Sequence, residues 1–290
     1  MKYRVRHQTA YSYGTPVDLA AHLVHMSPRP LPHQRIVSAS LEADPTPVRI
    51  TEGTDYFGND VRWMFLDKPH AEFDVVLDAT VDVAFPPPPP DDATPAWEDV
   101  ARMASPAGGP GWREAQFVFD SRLAPAVHAA RDYALPTFTE GRPILAALRD
   151  LNHRIRTEFA FRSGVTTIAT PVSTVLRQRA GVCQDFAHLM ISALRALGLP
   201  ARYVSGYIRT RPPPGQARRR GCDQSHAWVG AWLGPEHGWV DLDPTNDLIV
   251  SDEHVILGWG RDYADVSPVL GVLLGGGEHS VAVSVDLESE

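Results

Sequence analysis

The chain has 290 residues, 43% hydrophobic and 21% charged, ordinary globular usage that excludes wholesale disorder. Its net charge of −8 argues against general binding to nucleic acid or an anionic membrane, which want a basic face. Twenty-six prolines predict an interrupted fold, and two cysteines, Cys183 and Cys222, are too few for a disulfide scaffold and suit a reducing compartment. The opening MKYRVRHQTAYSYG has no secretory apolar core, and no apolar run approaches bilayer-spanning length, so the expectation is a cytoplasmic protein.

In chain order, residues 1–85 read as β. Tyr3, Val5 and His7 alternate with Arg4 and Arg6, the period of a half-buried strand. Residues 35–44 offer Val37, Ala39 and Leu41 on one face, and Gly58-Asn59 marks a turn between two short strands. The clearest alternation covers residues 73–83, with Phe73, Val75, Leu77, Ala79, Val81 and Val83 on one side. Short strands at this spacing predict a small antiparallel β-sandwich. Pro86 to Pro90 can neither continue a ladder nor a helix, and they predict a stiff extended spacer of roughly 15 Å. Residues 86–112 are read as an irregular, proline-rich linker.

From residue 113 the pattern becomes helical. Ile144, Leu145, Leu148, Leu151 and Ile155 predict an amphipathic helix over 143–156, and Ser173 is the expected cap of a short helix ending near Arg179. A third helix is expected over 183–197, with Phe186, Met190, Leu194 and Leu197 as its buried stripe and Gly198 as its stop. Strands are expected over 202–210, 225–233, 239–243 and 280–287. The fold class is therefore α+β, with a second domain over 113–290.

Cys183 stands at a helix start behind Gly181. Unpaired N–H groups and the positive end of the helix dipole favour a thiolate there, and later the oxyanion of a tetrahedral intermediate. His226 opens one strand and Asp243 ends the next, so a nucleophile, a base and an orienting carboxylate stand in triad order. A symmetric turn centred on Glu236 leaves His226 and Asp243 three residues out of register, ~10 Å at strand rise, so a bulge or an asymmetric loop is expected. Two other readings stay open. Cys183, His188, Cys222 and His226 supply the ligand types of a structural zinc site, though without a CxxC pair, and the chain could be a binding module with an idle site. Nothing signals a calcium loop, a flavin or a nucleotide, so no cofactor and no resident metal is expected.

Three blocks carry a resemblance. Gly181-Val182-Cys183-Gln184-Asp185-Phe186-Ala187-His188, Ser225-His226-Ala227-Trp228-Val229 and Gly238-Trp239-Val240-Asp241-Leu242-Asp243-Pro244-Thr245-Asn246 closely resemble the motif blocks of the transglutaminase-like superfamily. The opening Tyr3-Arg4-Val5-Arg6-His7-Gln8-Thr9 and the closing Gly275-Gly276-Gly277-Glu278-His279 resemble its bacterial subgroup with an N-terminal β domain. The resemblance implies a papain-like core with Cys183 as nucleophile, His226 as base and Asp243 as orienting acid, and Asp241 as a bystander. It implies acyl transfer through a thioester, with hydrolysis of a peptide or amide expected and transfer to an amine as the alternative. Two lysines, Lys2 and Lys68, argue against self-crosslinking. Trp228, on the face of His226, is a candidate substrate contact. Arg218, Arg219 and Arg220, in a basic stretch of an acidic protein, are candidates for attracting an acidic peptide or protein substrate, the one class of partner expected.

Overall fold

A computed structural model describes residues 1–105, 108–209 and 224–290. Arg218, Arg219, Arg220 and Cys222 lie outside the described residues. Five strands open the chain: β1 (Lys2–Val24), β2 (Gln34–Asp44), β3 (Arg49–Thr54), β4 (Asp60–Leu66) and β5 (His70–Val83). Helices α1 (Trp97–Met103), α2 (His128–Ala134) and α3 (Ile144–Glu158) follow. Next come β6 (Ala160–Phe161), α4 (Val172–Gln178), β7 (Ala180–Gly181) and α5 (Cys183–Ala196). The remaining strands are β8 (Ala201–Ile208), β9 (Gln224–Trp232), β10 (Trp239–Asp243), β11 (Leu248–Ile249), β12 (His254–Gly260), β13 (Val269–Gly275) and β14 (His279–Ser289). No helix among the described residues is long and apolar enough to cross a membrane.

The alternation in β5 is realised in full: Phe73, Val75, Leu77, Ala79, Val81 and Val83 are all buried. In β2 it breaks. The register shifts between Ile36 and Ser38, and Val37 is expelled to solvent while Leu41 stays buried, because a bulge changes the face of what precedes it. β1 exchanges partners between Ser12 and Val17; before this point it pairs with β5 and β14, beyond it with β4 and β13. Both halves of the sheet share one apolar core, running from Tyr3 and Val5 to Ala20, Val24 and Met64.

The sequence-based domain limits need two corrections. β13 and β14, the last strands of the chain, belong to the N-terminal sheet and not to the helical unit that precedes them. Pairing of strands so distant in sequence leaves no local signal. The linker is corrected too: within 86–112, Trp97–Met103 forms α1, whose Val100 is buried in the helical core.

The second unit is a five-stranded antiparallel sheet ordered β11-β10-β9-β8-β12, with α5 packed on β8 and β9. Helix α3 covers the expected segment but begins one residue later, at Ile144, with Pro143 standing just before its first turn. Helix α4 starts one residue before Ser173, so Pro171, not the serine, precedes it. β12 is the outer strand of this sheet, and its backbone is satisfied by amide side chains of the N-terminal unit. Gln34 accepts from Ile256 N–H and donates to Ile256 C=O, both at 2.7 Å. Asn59 accepts from Trp259 N–H at 2.9 Å and donates to its C=O at 2.8 Å. The two amides stand in for a neighbouring strand and hold the sheets in fixed relation.

Candidate active site

The loop before Cys183 is built around Asp185. Its Oδ2 accepts from Val182 N–H at 2.8 Å and from the Thr166 hydroxyl at 2.7 Å. This carboxylate, in the first turn of α5, thus ties down the residue that precedes the helix. Burial raises the Asp185 pKa against the lowering effect of those two donors. A Cβ on Gly181 would lie 2.7 Å from Oδ2 of Asp185, so glycine is required there. The short parallel pair β6–β7 anchors the same loop to the end of α3. Cys183 then opens α5 half-buried, with the free N–H groups of the first helical turn beside its thiol.

His226 and Asp243 come together without a bulge. Trp239 pairs with Trp232 and Leu242 with Val229, which places Asp243 across from Trp228, two residues from His226 on the same face. The even-numbered loop of residues 233–238 supplies this two-residue stagger, so the expected three-residue misfit and its remedies do not arise. Nε2 of His226 lies 2.7 Å from Oδ2 of Asp243, with both residues buried. Burial alone would lower the His226 pKa. Hydrogen bonds to Asp243 and Cys183 and their charges outweigh it and raise the pKa to about 10. Desolvation likewise opposes ionisation of Asp243, yet its imidazole and amide partners hold it well below the usual carboxylate range. With Nε2 turned to the carboxylate, Nδ1 is left for the thiol.

Two partners of Asp243 carried no assigned role at the level of sequence. Asn246 donates its side-chain N–H to Oδ2 at 2.7 Å, and the backbone N–H groups of Thr245 and Asn246 donate to Oδ1 at 2.9 and 3.2 Å. The signal was present, since Asn246 closes the third motif block four residues after Leu242. His254, fully buried on β12, brings Nε2 within 3.5 Å of Oδ2 without hydrogen-bond alignment. It had no signal, being placed by the long-range pairing of β12 with β8. Asn246→Ala should cost about 1.5–3 kcal/mol, the range for a hydrogen bond to a charged group. Urea denaturation checks this, and a change below ~0.5 kcal/mol, an ordinary surface effect, would sink it.

Trp228 is corrected. It is fully buried, its indole N–H donates to Oδ2 of Asp241 at 3.1 Å, and it packs with Val204, Val250 and Ile256. The ring lies on the interior side of the His226–Asp243 pair and does not reach the cleft. Asp241, expected to stand aside from the chemistry, anchors that indole and lies 3.7 Å from the Arg202 guanidinium. His188 is buried and pushed down to about 4, with Nε2 accepting from Tyr263 N–H at 3.2 Å. No grouping of three or more potential metal ligands occurs among the described residues.

Cys183 and His226 open on a cleft of about 650 Å³ between the two units. Tyr203 of β8 lines it as well; burial raises its hydroxyl well above the ordinary range, so it stays a hydrogen-bond donor.

Residues 3–82 match the family model described as Bacterial transglutaminase-like N-terminal region, and residues 131–244 match that of the Transglutaminase-like superfamily. An uncharacterized protein of Mycobacterium tuberculosis, strain H37Rv, is 43% identical over 293 residues, spanning 99% of this chain and 92% of its own. A protein-glutamine gamma-glutamyltransferase of Pseudomonas aeruginosa is 28% identical over 151 residues, 52% of this chain and 22% of that protein. A crystal structure of a candidate cysteine protease from Cytophaga hutchinsonii shares the fold, with a TM-score of 0.76 at 23% identity over 99% of this chain and 90% of that one. Two family matches, one within each structural unit, and a relative aligned along nearly its whole length place this chain in the transglutaminase-like superfamily, among bacterial members with an N-terminal β region.

Proposed function

We propose that the chain is a cysteine-dependent acyl-transfer enzyme that hydrolyses peptide or amide bonds. The observation that carries this reading is the buried 2.7 Å contact of His226 with Asp243, opening on the same cleft as Cys183. The thiolate of Cys183 attacks the carbonyl carbon, a C–S bond forms, and the carbonyl π pair moves onto oxygen. Backbone N–H groups at the start of α5 stabilise that oxyanion. Collapse breaks the C–N bond as His226 passes its Nδ1 proton to the departing amine, leaving a thioester. Neutral His226 then takes a proton from water as it attacks, and the C–S bond breaks to free the acid and restore the thiolate beside protonated His226.

Two measurements test the reading. Iodoacetamide should alkylate Cys183 at pH 6 at nearly its pH 8 rate in the native protein. In His226→Ala the rate should fall about tenfold per pH unit, as for an ordinary thiol with pKa near 8.5. Equal pH profiles would remove the ion pair from the mechanism. Peptides incubated with and without a primary amine should give free acid in both cases. Predominant amine adducts, in line with the named activity of the Pseudomonas relative, would assign transfer instead.

A further inference from the structure

One wall of the cleft comes from the N-terminal sheet. His7, Thr9 and Tyr11 of β1 lie directly across from Val285, Val283 and Val281 of β14, and all six line the cleft that holds Cys183. The period of two in each strand turns these residues toward the thiol and Arg6, Gln8, Ala282 and Ser284 away from it. No Asp, Glu, Lys or Arg is found among the described residues lining the cleft. His7 carries no charge either. Burial lowers its pKa to about 4, and its two nitrogens are engaged by the Tyr207 hydroxyl at 2.8 Å and the Thr9 hydroxyl at 3.1 Å. Val281 and Val283 are 47% and 55% exposed, β-branched apolar surface facing a nucleophile with nothing of this chain covering it among the described residues.

Resting on the acyl-transfer reading, we infer that the β1–β14 wall is the acyl-donor subsite and selects a substrate whose side chain there is apolar and uncharged. The acyl part stays bonded to Cys183 while the acceptor arrives, so it is the part that a fixed wall must hold. A carboxylate or ammonium seated on Val281 and Val283 would lose water, and among the described residues neither these valines nor His7, Thr9 and Tyr11 beside them offer a charge of opposite sign. The subsite thus sets a preference opposite to that expected of the basic stretch at Arg218 to Arg220. Without β13 and β14 returning to β1, the catalytic unit would have only half a cleft, which gives the N-terminal sheet a part in recognition.

Peptidyl acyloxymethyl ketones bearing Leu, Glu or Lys beside the reactive carbonyl test this. Each alkylation rate of Cys183 is divided by the same protein's iodoacetamide rate, so folding and thiol reactivity cancel. The Leu reagent should exceed both charged reagents by about tenfold or more, the discrimination of a modest apolar pocket. Val283→Lys should reverse the order of Leu and Glu, and Val281→Lys should do so if the first variant folds poorly. Ala282→Lys, facing away, should keep the native order. Equal ratios for the three reagents, faster reaction of Glu in the native protein, or an order unmoved by both wall variants would each overturn the subsite. Failure of the underlying acyl-transfer reading would show separately, as a pH 6 iodoacetamide rate indifferent to His226.

Discussion

Asp243→Ala should lose about four orders of magnitude in the acylation rate of Cys183, the scale seen when a triad histidine loses its orienting carboxylate. The size follows from how many groups converge on one buried side chain. His226 Nε2, Asn246 Nδ2 and the backbone N–H groups of Thr245 and Asn246 all point at its two oxygens. Truncation leaves these buried donors without an acceptor and His226 without the partner that keeps it charged. Breaking one side of a buried pair in this way should also cost about 3–5 kcal/mol of stability. Asp243→Asn should not rescue either quantity. If its oxygen faces His226 and the Asn246 amide, its NH2 group meets the N–H groups of Thr245 and Asn246. Turned over, the NH2 meets the first two instead. Single-turnover acylation and urea denaturation on both variants check this. Full stability retained in Asp243→Asn would show that the carboxylate charge is not what the following turn is built around.

The site was more legible than the scaffold that completes it, for a physical reason. Cys183, His226 and Asp243 sit at element ends, and helix starts and hairpin strands leave local marks such as Gly181 before the thiol and the six-residue loop of 233–238. The stagger itself depended on whether that loop is counted as odd or even. An odd count, centred on Glu236, required a bulge or an asymmetric loop, whereas the register of β9 and β10 runs without a shift. Trp228 illustrates a different limit. Periodicity placed it correctly beside His226, but which end of a sheet face opens to water is decided by what packs on it, here Val204, Val250 and Ile256. A Cβ on Gly206 would stand 2.4 Å from that indole, so the small residue next to it in space is part of the same arrangement. The return of β13 and β14 to β1 is the extreme case, since pairs such as Val5 with Leu287 join the two ends of the chain. Residues lining half the cleft therefore lay in segments where sequence alone showed only ordinary β alternation.

Folding stability should fall steeply as pH drops below about 6.5 and more gently as pH rises toward 10. The signs follow from which state holds more protons. His7, His22 and His188 are each pushed by burial to about 4 from an unfolded value of 6.5. Between those values the unfolded chain binds more protons than the native protein, so stability is lost as pH falls below about 6.5. Each such group contributes a slope of about 1.4 kcal/mol per pH unit within its window. His226 works the other way. Its folded pKa is raised to about 10, so its contribution is whole below the unfolded value and drains away as pH rises toward 10. Asp185, raised by burial, opposes the acid limb just above the ordinary carboxylate range, whereas Asp243, held low, steepens it once pH drops below that range. Urea melts at half-unit steps from pH 5 to 9.5 would trace both limbs. His226→Gln should flatten the alkaline limb whatever its absolute stability, and His188→Phe should make the acid limb shallower. An alkaline limb unchanged in His226→Gln would show that the proton lost there is not one that His226 holds.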